Sequence, residues 1–192
     1  ILCRGDSQPA MAVLESVLDR LELTLNRDKT RVVDAREQAF NFLGFSIQWA
    51  RSRRTGKGYP NVEPSKRAEQ RIKARIKDLT ARRRTPVPMP HMIEEVNQVL
   101  RGWSGYFHYG NCTKVFGRVR WFTEERLRTQ LRRRHKVRTR TRGYERFSYA
   151  HLHEVLGLFK LPHTAGWKSA HALARSTSES RVRENRMHGL MR

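Results

Sequence analysis

Ile93, Val96, Leu100, Trp103 and Phe107 step along the chain by 3, 4, 3 and 4 residues. That spacing places five large apolar side chains on one side of an α-helix, which must bury them against a partner. Two other stretches carry the same period. Ala68, Ile72, Ile76 and Leu79 mark a helix before it, and Val115, Val119, Phe122, Leu127 and Leu131 mark a less regular one after it. Between the first two lies "RRRTPVPMP", whose three prolines predict a stiff linker, because proline has no backbone N–H to give a helix. Three amphipathic helices with short connections predict a small three-helix bundle.

Ahead of residue 50 the period is different. "FNFLGFSIQW" alternates, with Phe40 and Phe42 on one parity and Phe45, Ile47 and Trp49 on the other. The slip falls at Leu43-Gly44, where a glycine can host a bulge or bend. "LELTL" and "TRVVDA" flank the polar turn Asn26-Arg27-Asp28-Lys29 and predict a hairpin-like pair. Before them, Ser7 is placed to cap a helix and Pro9 suits its first turn. Ala10, Met11, Leu14, Val17, Leu18 and Leu21 would form its buried face. "ILCR" reads as the end of a strand. Residues 1–50 therefore read as the closing part of an α+β domain. Residues 51–63, with "RSRRTGKGYP", read as a basic linker and 64–135 as an all-α domain. Residues 136–174 read as a basic extension and candidate nucleic-acid-binding segment, with a short appended helix or two over 148–174, and 175–192 as a disordered Ser/Arg/Glu-rich tail.

The formal net charge is +22, and it is unevenly spread. Residues 1–50 carry a net of −1 and residues 51–192 a net of +23. Lys66, Arg67, Arg71 and Arg75 stand opposite the apolar stripe of the first helix. Arg118, Arg120, Arg126, Arg128 and Arg132 do so on the third, with Arg101 and Arg133 adding to the surface. Few carboxylates balance them, and like-charge repulsion is a standing cost unless a polyanion covers it. This surface is expected to meet nucleic-acid phosphates. In "RGWSGYFHYGN" the stripe claims Trp103 and Phe107 for the core. Tyr106 and Tyr109 fall off it and suit either packing or base stacking. Gly102 and Gly105 each cost a helix ~1 kcal/mol relative to alanine, so a close approach by another helix or by RNA is expected there.

Other chemistries are excluded by what is missing. Cys3 and Cys112 are the only cysteines, so neither a disulfide framework nor a zinc finger can be built, and a reducing compartment fits. His108 and Cys112 have metal-type spacing but no third ligand. "RTGKG" lacks the preceding strand and following Ser/Thr of a phosphate-binding loop. No apolar run approaches the ~20 residues of a membrane span, so no membrane partner is expected.

At this point the residues resemble a known family. "ILCR…LTLNRDKTRVV…FNFLGFSI" resembles the last part of the palm in reverse transcriptases encoded by group II introns. "LRGWSGYFHYGN" is similar to the signature of their maturase-specific region, the thumb or X domain. The resemblance runs in order from Ile1 to about Leu131. It implies the C-terminal part of a reverse-transcriptase palm followed by a helical thumb. It implies a lysine beside the incoming nucleotide's phosphates at Lys29, a role that could include proton donation. It implies a primer-gripping hairpin at Phe42, Leu43, Gly44 and Phe45. The implied partners are group II intron RNA and an RNA–DNA template–primer duplex, in a bacterial cytoplasm. Such a polymerase uses Mg²⁺ held by paired aspartates of a Tyr-Ala-Asp-Asp turn. In the family that turn stands just before a stretch like Ile1–Arg4, so this chain is expected to be an excerpt, a split gene or a degraded one, inactive in DNA synthesis alone. Asp6, Asp19, Asp28, Asp34 and Asp78 show no metal-site pattern, and no metal or cofactor is expected in this chain. Two alternatives stay open: the thumb of another reverse-transcriptase lineage, such as a CRISPR-linked one, and a non-enzymatic basic RNA-associated structural protein.

Overall fold

The computed structural model describes residues 5–162. The alternating "FNFLGFSIQW" stretch forms a hairpin of β1 (Phe40–Phe42) and β2 (Phe45–Arg51), with Phe42 opposite Phe45 and Phe40 opposite Ile47. Leu43 and Gly44 between them have φ of +47° and +81°. Positive φ at both central positions is the two-residue turn whose twist matches its flanking strands. The slip in alternation is this turn, not a bulge within one strand. β3 (Gly58–Pro64) pairs antiparallel with β2 along its whole length, from Phe45 opposite Pro64 to Arg51 opposite Gly58. Much of the stretch read as a basic linker is thus a second hairpin.

Upstream the expectations fare less well. α1 (Gln8–Arg20) begins with Ser7 at the cap position and proline in its first turn, although the Ser7 side chain makes no cap bond. None of its residues is buried, and Val13 and Val17 are exposed. Ala10, Met11, Leu14 and Leu18 of the expected buried face are only partly covered. The hairpin expected over "LELTL" and "TRVVDA" does not form either. The turn does: the Lys29 N–H donates to Asn26 Oδ1 (3.1 Å), and the Thr30 N–H to the Asn26 carbonyl (3.0 Å). Its flanks stay unpaired, with Leu23 and Val32 exposed. Two short segments that find no surface to cover cannot hold a ladder by themselves.

The helical part follows its pattern closely. The Ser65 Oγ accepts from the Ala68 N–H and caps α2 (Lys66–Leu79), which buries Ala68, Ile72, Ile76 and Leu79. A 3₁₀ turn at Arg82–Arg84 leads to α3 (Met89–Phe107). Pro90 sits in the first turn of α3, where a missing N–H leaves no bond unmade. α4 (Thr113–Arg134) completes the group, and α2 packs on both α3 and α4. Ile76, Met92, Val96, Leu100, Val119 and Leu127 form the centre of the core.

The basic extension does more than append. α5 (Arg140–Arg146) lies against α4, and a π-type turn follows at His151–Val155. Phe147, Leu152, Leu158 and Leu161 enter the same core as the three helices. Asn97 of α3 ties the segment down: its Nδ2 donates to the Gly157 carbonyl (2.8 Å) and its Oδ1 accepts from the Phe159 N–H (2.7 Å). The strand expected over 1–4, the last part of the extension and the tail expected over 175–192 lie outside the described residues. The described chain is thus mixed: mostly helical, with one three-stranded sheet in the order β1-β2-β3. A smaller cluster of Ala68, Phe107, Cys112 and Phe116, with Phe45 and Trp103 packed on it, joins the sheet to the helices.

Candidate nucleic-acid interface

The β1–β2 turn and the end of α3, distant in sequence, are built together. The Tyr106 hydroxyl donates to the Leu43 carbonyl at 2.9 Å. The Phe45 ring stacks on Tyr106 with centroids 5.8 Å apart and tilts against Phe107 at 5.0 Å. The Gly44 carbonyl accepts from the Ser65 N–H (2.8 Å), and a Cβ on Gly44 would stand 3.1 Å from the Phe107 ring. Phe42 and Leu43 keep their side chains exposed at the turn. Tyr106 is therefore a strut that leaves about half of its surface, 51 %, open to a ligand. Tyr109 is also exposed and lies against the His108 ring. Trp103 and Phe107 pack inward, as their spacing predicts.

The glycines divide in an unexpected way. Gly110 has φ +66°, and a side chain there would run into the Val62 carbonyl oxygen. Beside it the Asn111 N–H donates to that same carbonyl (2.6 Å) and its side chain to Asn61 Oδ1 (2.7 Å). The α3–α4 loop is thus clamped to β3. Gly102 and Gly105, where close approach is expected, face open space instead. No helix packs there among the described residues.

The cations fall into two classes. The first class has partners within the protein. Arg118 grips Glu69 with Nε at 3.0 Å and Nη2 at 2.6 Å, a two-pronged pair. Glu69 also accepts from Lys73 (2.6 Å). The hydrogen bond from Arg118 is the largest influence holding the Glu69 carboxyl below the usual carboxylate range, against the opposing effect of burial. Its counterpart raises the Arg118 guanidinium. Arg126 donates to the Thr80 carbonyl (2.8 Å) and Oγ1 (3.0 Å) and so closes the C-terminal end of α2. Burial, with Arg133 nearby, pushes the Arg126 guanidinium down. Arg128 is buried, bonded to the Phe147 carbonyl and to Glu124 and Glu125. Arg132 donates to the Arg138 carbonyl (2.9 Å), and its stem covers Gly143. Arg75 pairs with Asp78 (3.7 Å), and the Arg101 guanidinium lies over the Phe159 ring. Arg118, Arg126 and Arg132 therefore do not make one free stripe along α4: the first two are turned to α2, which the repeat of the helix alone does not reveal.

The second class makes no side-chain hydrogen bond or ion pair among the described residues. It includes Lys66, Arg67 and Arg71 on the exposed side of α2, and Arg133 on α4. Arg133 stands where two open depressions of about 630 and 720 Å³ adjoin. One is lined by Arg132, Lys136 and Arg138, the other by Arg82, Arg83 and Thr85. Packing α4 beside the 3₁₀ turn brings together two basic runs some fifty positions apart. The sequence shows both runs but not their meeting. Lys29 is exposed in its turn and likewise makes no side-chain bond.

Residues 69–148 match the family model described as Group II intron, maturase-specific domain. The match to the maturase-specific domain takes in nearly all of α2, then α3, α4, α5 and Phe147, so it spans both depressions and the Tyr106 strut. It stops short of the β1–β2 turn and of Lys29. No curated protein matches the chain. Among the described residues no group of three or more His, Cys, Asp or Glu gathers to hold a metal ion. His108 Nδ1 lies 2.5 Å from the Gly105 carbonyl, and Cys112 is buried with its thiol pushed up by desolvation. Among the described residues no helix is long and apolar enough to cross a membrane.

Proposed function

We propose that this chain is the RNA-gripping part of a group II intron maturase and reverse transcriptase. It holds the intron RNA in a shape that splices and, in the complete protein, holds the template–primer during RNA-directed DNA synthesis. The observation that carries this reading is the match of residues 69–148 to the maturase-specific domain. The free cations Lys66, Arg67, Arg71 and Arg133 support it, because such groups strengthen binding by displacing counterions from phosphates. The exposed side chains of Phe42 and Leu43, braced from behind by Tyr106 and Phe107, support a primer-gripping role for Phe42–Phe45. Tyr109 and the open half of Tyr106 offer ring surface to unstacked bases. Lys29, exposed and unbonded, contacts the nucleotide phosphates in the complete polymerase, whose metal-bound carboxylates lie outside the described residues.

Binding of the full chain to group II intron transcripts, against unrelated structured RNA of equal length, tests this reading. Preferential retention of intron RNA under competition is the expected result, together with faster splicing at low Mg²⁺. Equal affinity for both RNAs, with no effect on splicing, would overturn it.

A further inference from the structure

We infer that the tip of the β2–β3 hairpin is a second nucleic-acid contact, which grips the backbone phosphates of double-helical RNA. It rests on the reading of the chain as an RNA binder but uses residues outside the maturase-matched stretch.

Arg51, Arg53, Arg54 and Lys57 place four cations within seven residues. All four are exposed, and none makes a side-chain hydrogen bond or ion pair among the described residues. The tip that carries them is nonetheless ordered. The Ser52 N–H donates to the Lys57 carbonyl (2.9 Å), and the Gly56 N–H to the Ser52 carbonyl (2.8 Å), with Gly56 at φ +65°. The Ser52 Oγ accepts from the Thr55 N–H at 3.3 Å. A turn so organised fixes the backbone positions from which its cations project, while their mutual repulsion goes uncompensated.

Where the tip stands matters as much as its charge. The roots of β2 and β3, at Phe45 and Pro64, are fixed to α3 and α2. Seven residues per strand, at ~3.3 Å each, carry the tip about 20 Å from that root. A two-stranded ribbon of that reach can lie along a duplex groove or backbone while the helical part holds another segment of the same RNA.

Two rings, Trp49 and Tyr59, stand near the tip. Trp49 lies across Gly58, where any Cβ would collide with the indole, and the Arg36 guanidinium sits 5.9 Å from its ring centroid. Its backbone N–H is held by the Ala35 carbonyl (2.7 Å). Trp49 thus braces the ribbon, and although it and Tyr59 keep part of their ring surface open, the four unpaired cations make phosphate contact the larger contribution. Contacts limited to phosphates leave the tip indifferent to sequence.

The test compares the full chain with its Arg53→Gln/Arg54→Gln/Lys57→Gln variant, by titrating a long RNA hairpin, a DNA duplex of equal length and phosphatidylserine vesicles over a salt series. Three lost phosphate contacts at ~0.7–0.9 each should flatten the RNA log–log salt slope by about 2, with the melting temperature unchanged. The Arg53→Lys/Arg54→Lys variant should keep the wild-type slope. An RNA slope and affinity unchanged in the Gln variant would overturn the inference. So would a loss confined to vesicles or to the DNA duplex. If the wild-type chain binds no RNA at all, the proposed function fails as well, and the two failures are told apart by that first titration.

Discussion

The Tyr106 hydroxyl and the Leu43 carbonyl are 2.9 Å apart, joining residues 63 positions distant in the chain. This bond, with the ring stack on Phe45, fixes the β1–β2 turn to the end of α3. Tyr106→Phe should cost about 0.5–1.5 kcal/mol in denaturant unfolding, the net value of one such bond. Tyr106→Ala should cost more, because it also removes the stacked ring. Equal effects from both variants would mean that the ring contributes nothing to the joint.

Gly110 and Gly105 should respond in opposite directions to the same change. Gly110→Ala forces an alanine into positive φ against the Val62 carbonyl and should destabilise by about 1–3 kcal/mol. Gly105→Ala adds a methyl group in open space on a helix and should stabilise by about 0.5–1 kcal/mol. Thermal melts of the two variants check the pair. A destabilising Gly105→Ala would mean that something packs on that face.

How much could be read beforehand depended on whether a residue's partner lay nearby in sequence. The stripe from Ile93 to Phe107 and the set Ala68, Ile72, Ile76 and Leu79 were legible, because a helix repeats its own face. The Leu43-Gly44 slip was visible as a break, but a bulge and a turn look alike until the opposing strand is known. β3 went unread because "GYPNVEP" has two prolines and hardly alternates; it is held by pairing with β2 rather than by its own pattern. The arginines were the least legible. Arg126 and Arg133 lie on one helix seven residues apart, yet one closes the end of α2 and the other has no partner among the described residues. The difference is set by where α2 ends, not by anything local. The match over 69–148 accords with the resemblance drawn from "LRGWSGYFHYGN". The palm resemblance upstream of it stands on the motifs alone.

The Glu69–Arg118 pair should make stability depend on pH in acid. The Glu69 carboxyl is held below its ordinary value, so its contribution is complete above the usual carboxylate range and is lost as pH falls through the depressed value. Glu69→Gln should therefore cost about 1–2 kcal/mol at neutral pH, with the half-exposed Arg118 keeping the figure modest. The difference from wild type should close in acid. A gap that stays constant with pH, measured by urea unfolding, would contradict the assignment.

The central claim is that cations without partners bind RNA while cations with partners hold the fold. The salt dependence of RNA affinity, measured beside the melting temperature, separates the two classes directly. Arg67→Ala/Arg71→Ala/Arg133→Ala should flatten the log–log slope by about 2, at ~0.7 per single-stranded phosphate contact, and leave the melting temperature unchanged. Arg126→Ala should lower the melting temperature, because Thr80 at the end of α2 loses one of its two side-chain donors, the other being Gln130, and leave the slope as it was. A triple variant with the wild-type slope, or an Arg126→Ala that flattens the slope without loss of stability, would contradict the account.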